Sequence, residues 1–483
     1  MNDENKLVLE CHLNGKWNKI ADLTAIGDTS KGINCEISLE YDLDWASEYL
    51  GNKADKALSV LHAVDYEQKN LEKWPSFLLD FLPQGAVLKY IEKYYGIQAT
   101  PSQEWNILKK VPIMPPGNLR IAPSQGMMAE VDSHAGFEKS EVVDRSSDFL
   151  EYMVERGAPI GGSTGAQGAA PKLLLREDYS SKFHAEAAIS DKNTKRLWLV
   201  KFPRGNKVVD YEILACEALY QDIARTLGHT VEGSIHHESG TLFFERFDRK
   251  ITQNKILYFG LESFYSAIGS TIHGQRVDHV VYLDMLHKFS RNREIDIIEY
   301  YLRELTREAF GDTDNHGRNS SLIKIDNEIR LSPLYDFAPM QFDEEMIVRQ
   351  SFWDKELSDA QKIIEFIEDR YNLHGALISK LKDYRDRLED INSQESVTKD
   401  FQFNFIEKTK LKRELILRNI NSCLQQRVES FNIYQSDDNI KFQKPDKDKY
   451  TVLCQSKICK NPNGRTRLRG NRRFLGICSH CER

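Results

Sequence analysis

No apolar run in the chain approaches the roughly 20 residues that a membrane-spanning helix needs. The opening residues, Met1-Asn2-Asp3-Glu4-Asn5-Lys6, are polar and acidic, with no apolar signal core behind them. Both absences point to a cytoplasmic protein with no membrane partner. Cysteine is sparse over most of the length. Cys11, Cys35, Cys216 and Cys423 stand singly, the pattern of buried, reduced thiols rather than of a disulfide-stapled secreted scaffold. Internal repeats and low-complexity tracts are missing, which excludes solenoids and fibrous arrays. A strong charge of one sign is missing too: the formal net charge is −7, so the body of the chain is no polyanion binder.

What is present suits a soluble globular protein: 483 residues, 40% hydrophobic and 29% charged. That length implies two to four domains. Residues 1–110 read as a small α+β subdomain. It opens with the strand-like Lys6–Leu13 and an Asn14-Gly15 turn. Residues 111–156 form a connector holding Pro112, Pro115, Pro116 and Pro123. Residues 157–250 alternate glycine-rich turn, strand and helix, a β-rich lobe with one helix over Tyr211–Leu227. Residues 251–433 read as a helical catalytic lobe, with helical periodicity dominating from Leu261 and helices expected over Glu294–Phe310, Asp359–Tyr371, Leu373–Ile391 and Phe405–Phe431. Residues 434–449 read as a linker and 450–483 as a cysteine-rich tail.

The stretch Gly311-Asp312-Thr313-Asp314-Asn315-His316-Gly317-Arg318-Asn319 carries an Asp, then an Asn five residues on. After a short β-like connection comes Tyr335-Asp336-Phe337-Ala338. A phosphoryl-transfer enzyme needs that layout. One Asp orients a hydroxyl nucleophile, while the Asn and the second Asp hold magnesium on nucleotide phosphates. Protein kinases use H-R-D-x-x-x-x-N followed by D-F-G, and Asp336-Phe337-Ala338 differs from D-F-G by one methyl group.

Further parts occur in kinase order. Gly162, Gly165 and Gly168, with Ser163 and Thr164 among them, would let backbone N–H groups approach phosphates. No Lys-Ser/Thr pair follows, so this is not a Walker A loop, and alone it equally describes a surface turn. Lys201 ends the apolar run Leu197-Trp198-Leu199-Val200 and would be costly to bury unpaired. ATP phosphates and Glu217, on the following helix, would supply the negative charge; a lysine snorkelling from a strand edge is the bland alternative. Phe243-Phe244-Glu245-Arg246-Phe247 ends the β-rich part, where a hinge would meet adenine. A competing reading takes Asp312, Asp314 and His316, which alternate, as ligands of a metal hydrolase. Such an enzyme would need neither the lysine strand nor the glycine loop. Its further histidine ligands cannot be assembled from the 13 scattered along the chain.

Taken together, Gly165-Ala166-Gln167 with Pro171-Lys172, Val200-Lys201-Phe202-Pro203, Glu217, Ala224-Arg225-Thr226-Leu227-Gly228, Glu245-Arg246-Phe247-Asp248-Arg249, Thr313–Asn319 and Leu331–Asp336 resemble the HipA family. These are serine/threonine kinases, the toxin components of bacterial toxin–antitoxin systems. The resemblance is firm over 157–340 and extends weakly to Phe77-Leu78-Leu79-Asp80-Phe81-Leu82-Pro83. It implies an α+β, protein-kinase-like fold of two lobes, with ATP and Mg2+ as cofactors. It makes Asp314 the catalytic base and Asn319 and Asp336 the magnesium ligands. Lys201 would hold the phosphates with Glu217 as partner. Glu245 and Phe247 would contribute to the adenine site, with Gly162, Ser163, Thr164, Gly165 and His316 among the nucleotide-binding residues. It further implies autophosphorylation at Ser163 or Thr164, a protein substrate connected with translation, and a separate helix-turn-helix antitoxin. No such helix-turn-helix motif is found within this chain.

The tail departs from that family. Cys454-x4-Cys459 and Cys478-x2-Cys481 resemble a zinc ribbon, four thiolates closing a structural Zn2+ site. From Cys454 to Arg483 there are eight Lys or Arg against one acid, so the tail is +7 and the rest −14. Arginines beside Phe474 suit a nucleic-acid surface, or a tail docked on the acidic body. The alternative function is therefore a nucleic-acid-binding regulator with an inactive kinase-like domain.

Overall fold

Alternation of apolar and polar residues builds the first sheet of the structure, a computed structural model. It describes residues 5–83, 86–98, 100–110, 115–122, 135–145, 149, 152–153, 171–186, 188–253, 255–272, 274–344, 349–393 and 405–436. The glycine-rich loop and the cysteine tail, and with them Gly162, Ser163, Thr164, Gly165, Cys454, Cys459, Cys478 and Cys481, lie outside the described residues.

In β1 (Lys6–Leu13), Leu7, Leu9 and Cys11 are buried while the residues between them are half-exposed. Asn14 and Gly15 both take positive φ, the two-residue turn that the Asn-Gly pair favours, and lead into β2 (Lys16–Ala25). β3 (Ile37–Tyr41), β4 (Lys69–Leu71) and β5 (Leu119–Ile121) complete an antiparallel sheet of order β4-β3-β2-β1-β5. Trp45, Trp74, Phe77 and Trp105 fill its core. β5 lies beyond residue 110, in the stretch read as connector. Three residues following a proline carry too little pattern to show as a strand until β1 offers them an edge.

The second sheet has order β7-β6-β8-β10-β9: β6 (Lys172–Asp178), β7 (Phe183–Ala185), β8 (Thr194–Lys201), β9 (Ile235–Glu238) and β10 (Thr241–Glu245). β6 is buried over six consecutive residues, covered on both faces. Helix α1 (Val208–Leu227) follows β8 and ends at Gly228 in the left-handed conformation. Hairpin β11 (Arg249–Thr252) and β12 (Lys255–Tyr258) then leads to a third sheet, β13 (Gly260–Ser263), β14 (Ser321–Ile325) and β15 (Glu328–Leu331). Strand β13 falls where helical periodicity was expected to take over. Four residues are too few for a period to register.

The longer helices that follow β13 are α2 (His279–Phe289), α3 (Arg293–Phe310), α4 (Ala360–Tyr371), α5 (Ala376–Ser393) and α6 (Lys410–Ser436). By packing, the chain divides into residues 1–423 and 424–483, and the described part of the second unit is the end of α6. Among the described residues no helix is long and apolar enough to cross a membrane. The four scattered cysteines are buried and unbridged.

Gly311 sets the exit of α3 and so the start of the loop that follows. It caps the helix at φ 73°, and a β-carbon there would run into the Gln341 side chain at 2.4 Å. Gly311→Ala is expected to cost about 1–3 kcal/mol in urea unfolding. The same change at Gly375, where a β-carbon meets nothing within 4 Å, costs only its strained φ and should be the milder of the two.

Candidate active site

Strand register brings the first charges together. β6 and β8 pair so that Lys172 faces Lys201, and opposite residues of an antiparallel pair project to the same side. Both lysines are buried and both reach Asp336: Lys201 Nζ lies 2.6 Å from Oδ1 and Lys172 Nζ 3.2 Å from Oδ2. Lys201 also donates to the Glu217 carboxylate on α1, whose Ile213, Leu214 and Tyr220 are buried. Burial works against the charge on Lys201, but Asp336 and Glu217 outweigh it and hold the lysine protonated. Burial likewise opposes the Asp336 charge, yet Lys172 and Lys201 keep that carboxyl well below its ordinary range. Lys172 carries no sequence signal of this role, because register is a tertiary property.

Asp336 itself has φ 53°, a conformation uncommon outside glycine but tolerated by aspartate. Its neighbour Phe337 holds it there. Phe337 is fully buried, 4.8 Å from the Tyr220 ring on α1 and 6.2 Å from Phe310 on α3, and the Tyr220 hydroxyl donates to the Phe310 carbonyl. The Asp-Phe-Ala stretch is thus locked between two helices.

Arg307, on the last turn of α3, joins that stretch to the Asp314 loop. Its guanidinium pairs with Asp312 and donates to the backbone carbonyls of Asn319, Tyr335 and Asp336, each at 3.2 Å. Asp312 is therefore committed to Arg307. Among the described residues no cluster of three or more His, Cys, Asp or Glu is arranged to hold a metal, so the hydrolase reading gains no support. Within the loop, the Asn319 amide donates to the Asp314 carbonyl at 2.7 Å. Asn319 Oδ1 and Asp314 Oδ1 are buried and accept no hydrogen bond among the described residues. Burial pushes the Asp314 carboxyl up to about 8; Arg349, 3.7 Å away, pulls against this, and Asp312 and Asp336 add to it. Burial drives His316 down to about 3, so it is neutral. His316 Nδ1 accepts the Arg318 N–H, and its ring stacks on Tyr265. The structure gives this residue a packing place in the loop. Gly317 is required beside it, because a β-carbon would meet Tyr265 and Tyr282 at 2.4 Å.

A cleft of about 1030 Å³, its open mouth included, lies beside these groups. Lys172, Lys201, Glu245, Phe247, Tyr335 and Asp336 all line it. Asp314, His316 and Asn319 are not among the lining residues; they sit on the loop that Arg307 ties to Asp336. The Phe247 and Tyr335 rings pack at 5.9 Å. The Glu245 carboxylate accepts from Ser234 N–H and hydroxyl, so its side chain ties the end of β10 to the residue before β9. The charged members of Glu245-Arg246-Phe247-Asp248-Arg249 are structural. Arg246 grips Asp248 at 2.8 and 2.7 Å and Glu186 at 2.7 Å, and Arg249 reaches both acids. Asp248 also accepts the Gly117 N–H, fastening the 115–122 segment to the cleft rim. Asp80, inconspicuous in the sequence, lines the cleft and accepts two hydrogen bonds from Ser263.

Residues 164–395 match the model of the HipA-like C-terminal domain. Among solved structures, HipA of Shewanella oneidensis MR-1, determined in complex with HipB and operator DNA, is similar with a TM-score of 0.59. The two are 18% identical over 87% of this chain and 99% of that one, a likeness of fold. The Helicobacter pylori proinflammatory kinase CtkA aligns with a TM-score of 0.34 and 14% identity over 54% of this chain and 94% of that one. No curated protein matches the sequence.

Arg307→Met leaves Asp312 buried and unpaired and frees three carbonyls. We expect a loss of about 3–5 kcal/mol by urea denaturation. Glu304, which accepts from Asn315 behind the loop, is pushed up to about 8 by burial. A folded value above the unfolded one of about 4.3 stabilises the fold below that pH and loses the contribution as pH rises through 8. Between pH 7 and 9 the wild type should lose about 1 kcal/mol relative to Glu304→Gln. Parallel curves for the two proteins would refute the assignment.

Proposed function

Because the chain belongs to the HipA family, we propose that it is a cytoplasmic ATP-dependent serine/threonine protein kinase with a two-lobed, kinase-like fold. The observation that carries this reading is Lys201, paired at once with Glu217 and Asp336 at the edge of the cleft. Active protein kinases pair their ATP lysine with a helix Glu and place a metal-binding Asp beside it.

The residues fit a magnesium ion: Asn319 offers a buried carbonyl oxygen without a partner, and Asp336 is an ionised carboxylate beside two cations. Asn319 and Asp336 would hold it, and Mg2+ would there neutralise the phosphate oxygens. Lys201, released from Asp336 by the metal's charge, would pair with the ATP phosphates, and Lys172 stands next to it for the same anion. Phe247 and Tyr335 would wall the base, and the backbone at Glu245 and Phe247 would meet its edge. Asp314 would take the proton of an acceptor hydroxyl as its oxygen bonds to the γ-phosphorus. The bond from that phosphorus to the bridging oxygen breaks, and ADP leaves with the electron pair. Burial raises the proton affinity of Asp314, which suits a base that must accept a proton.

By analogy with the HipA–HipB–operator DNA complex, a helix-turn-helix antitoxin is the proposed partner, and growth or translation the process inhibited. Autophosphorylation at Ser163 or Thr164, a zinc-stapled tail on Cys454, Cys459, Cys478 and Cys481, and nucleic-acid binding by that tail are proposed with it.

With Mg2+ and labelled ATP the wild type should incorporate phosphate, detectable by mass spectrometry on Ser163 or Thr164. Asp314→Asn should lower the rate by about 10²–10⁴ with an unchanged melting temperature. Undiminished labelling in that variant would remove Asp314 from its role. Salt-sensitive nucleic-acid binding without nucleotide binding would favour the regulator instead.

A further inference from the structure

Arg318 lines the cleft although its side chain is almost removed from water, at 4% exposure. Nη2 donates to the Leu79 carbonyl at 2.9 Å, while Nε and Nη1 are buried and meet no acceptor among the described residues. A buried guanidinium short of acceptors is costly to the fold. The other cations around the cleft each touch a carboxylate: Lys172 and Lys201 meet Asp336, Arg307 meets Asp312, and Arg246 meets Asp248 and Glu186. Arg318 touches none among the described residues. The Gln221 amide on α1 also lines the cleft with neither atom partnered, but it is neutral and one water can serve it.

Asp80 lines the same cleft. It accepts one bond at each oxygen, from the Ser263 N–H at 3.0 Å and the Ser263 hydroxyl at 2.7 Å, and a carboxylate oxygen can accept a second. Burial raises the Asp80 carboxyl and the charge of Arg318 pulls it back, so the two groups feel one another without forming an ion pair. The place of Arg318 along the cleft follows from its neighbours. Its carbonyl accepts the Tyr335 hydroxyl at 2.7 Å, so its backbone stands at the hydroxyl end of the ring that would wall the base. The next residue in the chain, Asn319, is the proposed metal ligand. A nucleotide reaching from the Phe247–Tyr335 wall to Asn319 and Asp336 therefore passes Arg318 with its sugar. A phosphate would satisfy the guanidinium but bring negative charge against Asp80. A vicinal diol suits both groups: its oxygens accept from Arg318 and its protons go to Asp80. Dinucleotide-binding folds likewise hold ribose with an acidic side chain.

We propose that Arg318 and Asp80 bind the ribose hydroxyls of the nucleotide, so that the N-terminal region supplies half of the sugar site and the cleft selects ribonucleotides over deoxyribonucleotides. This rests on the kinase reading above. A deoxy analogue would leave a buried donor or acceptor unpaired, and a site built around a hydroxyl rejects the ligand that lacks it for that reason.

The test is isothermal titration calorimetry on the full-length chain with Mg-ATP, Mg-2′-deoxy-ATP and Mg-3′-deoxy-ATP, comparing wild type, Arg318→Met and Asp80→Asn. The wild type should bind Mg-ATP about 10–100-fold more tightly than either deoxy analogue. Both substitutions should abolish that preference. Arg318→Met also removes the tie to Leu79, so the ratio of affinities within each protein is what is read. Asp80→Asn, which keeps its size, decides the matter if the Met variant melts early. Equal affinities for all three nucleotides in the wild type would overturn the proposal, as would a preference that survives in Asp80→Asn. Adenosine 3′,5′-bisphosphate binding more tightly than AMP, with the gain lost in Arg318→Met, would make this an anion subsite and overturn it too. A wild type that binds no Mg-ATP at all would defeat the kinase reading, and this inference with it. Binding of Mg-ATP without preference for its ribose would defeat the inference alone.

Discussion

A single buried guanidinium, that of Arg307, holds the two carboxylate-bearing stretches in one place. It contacts Asp312 at the start of the loop, Asn319 at its end, and Tyr335 and Asp336 beyond β15. A charge this deep is tolerated only when a carboxylate and further acceptors meet it. The acceptors come from segments far apart in the chain, so satisfying the arginine and assembling the site are one requirement. The same principle recurs at the cleft rim. There Arg246 and Arg249 gather Glu186 and Asp248, and Asp248 takes a backbone N–H from Gly117. Both knots use arginine, whose planar fork can meet several oxygens at once.

The carboxylates of the site diverge because their surroundings do. Asp336 sits between two lysines and stays ionised despite burial. Asp314 has one arginine at 3.7 Å and two other carboxylates near it, so burial prevails and its proton affinity rises. Groups whose environments separate their proton affinities suit separate roles. Asp312, the third, is raised only to about 6, held by Arg307 as the loop's internal tether.

The N-terminal sheet shares walls with this machinery. Asp80 and Pro116 line the cleft, Arg318 donates to the Leu79 carbonyl, and Ser59 donates to Glu262 on β13. Glu262 is itself paired with Lys324 on the adjacent strand at 2.6 Å. The Phe77–Pro83 stretch, whose sequence likeness is weak, supplies Asp80 and the Leu79 carbonyl. Its length, mostly short helix and turn, offers little periodic pattern to read.

Much of the fold and site is legible in the sequence because it rests on local chemistry. Strands with alternating burial, helices with apolar stripes, the left-handed caps at Gly228 and Gly311, and the Asp314–Asn319–Asp336 spacing all depend on residues close in sequence. The pairing of Lys201 with Glu217 is also within reach, since both lie in one strand-to-helix unit. Lys172 and Arg349 carry no comparable signal, and neither does the hub at Arg307 or the structural use of Arg246 and Asp248. Each depends on a partner brought by strand register or by a distant loop, and burial alone decides which charges must find one another. By itself, then, the sequence determined most of the elements and singled out Asp314, Asn319 and Asp336, because backbone propensity and motif spacing act over a few residues. Only the tertiary structure decided which cation meets which carboxylate, because removing charge from water makes pairing compulsory while leaving the choice of partner to the fold.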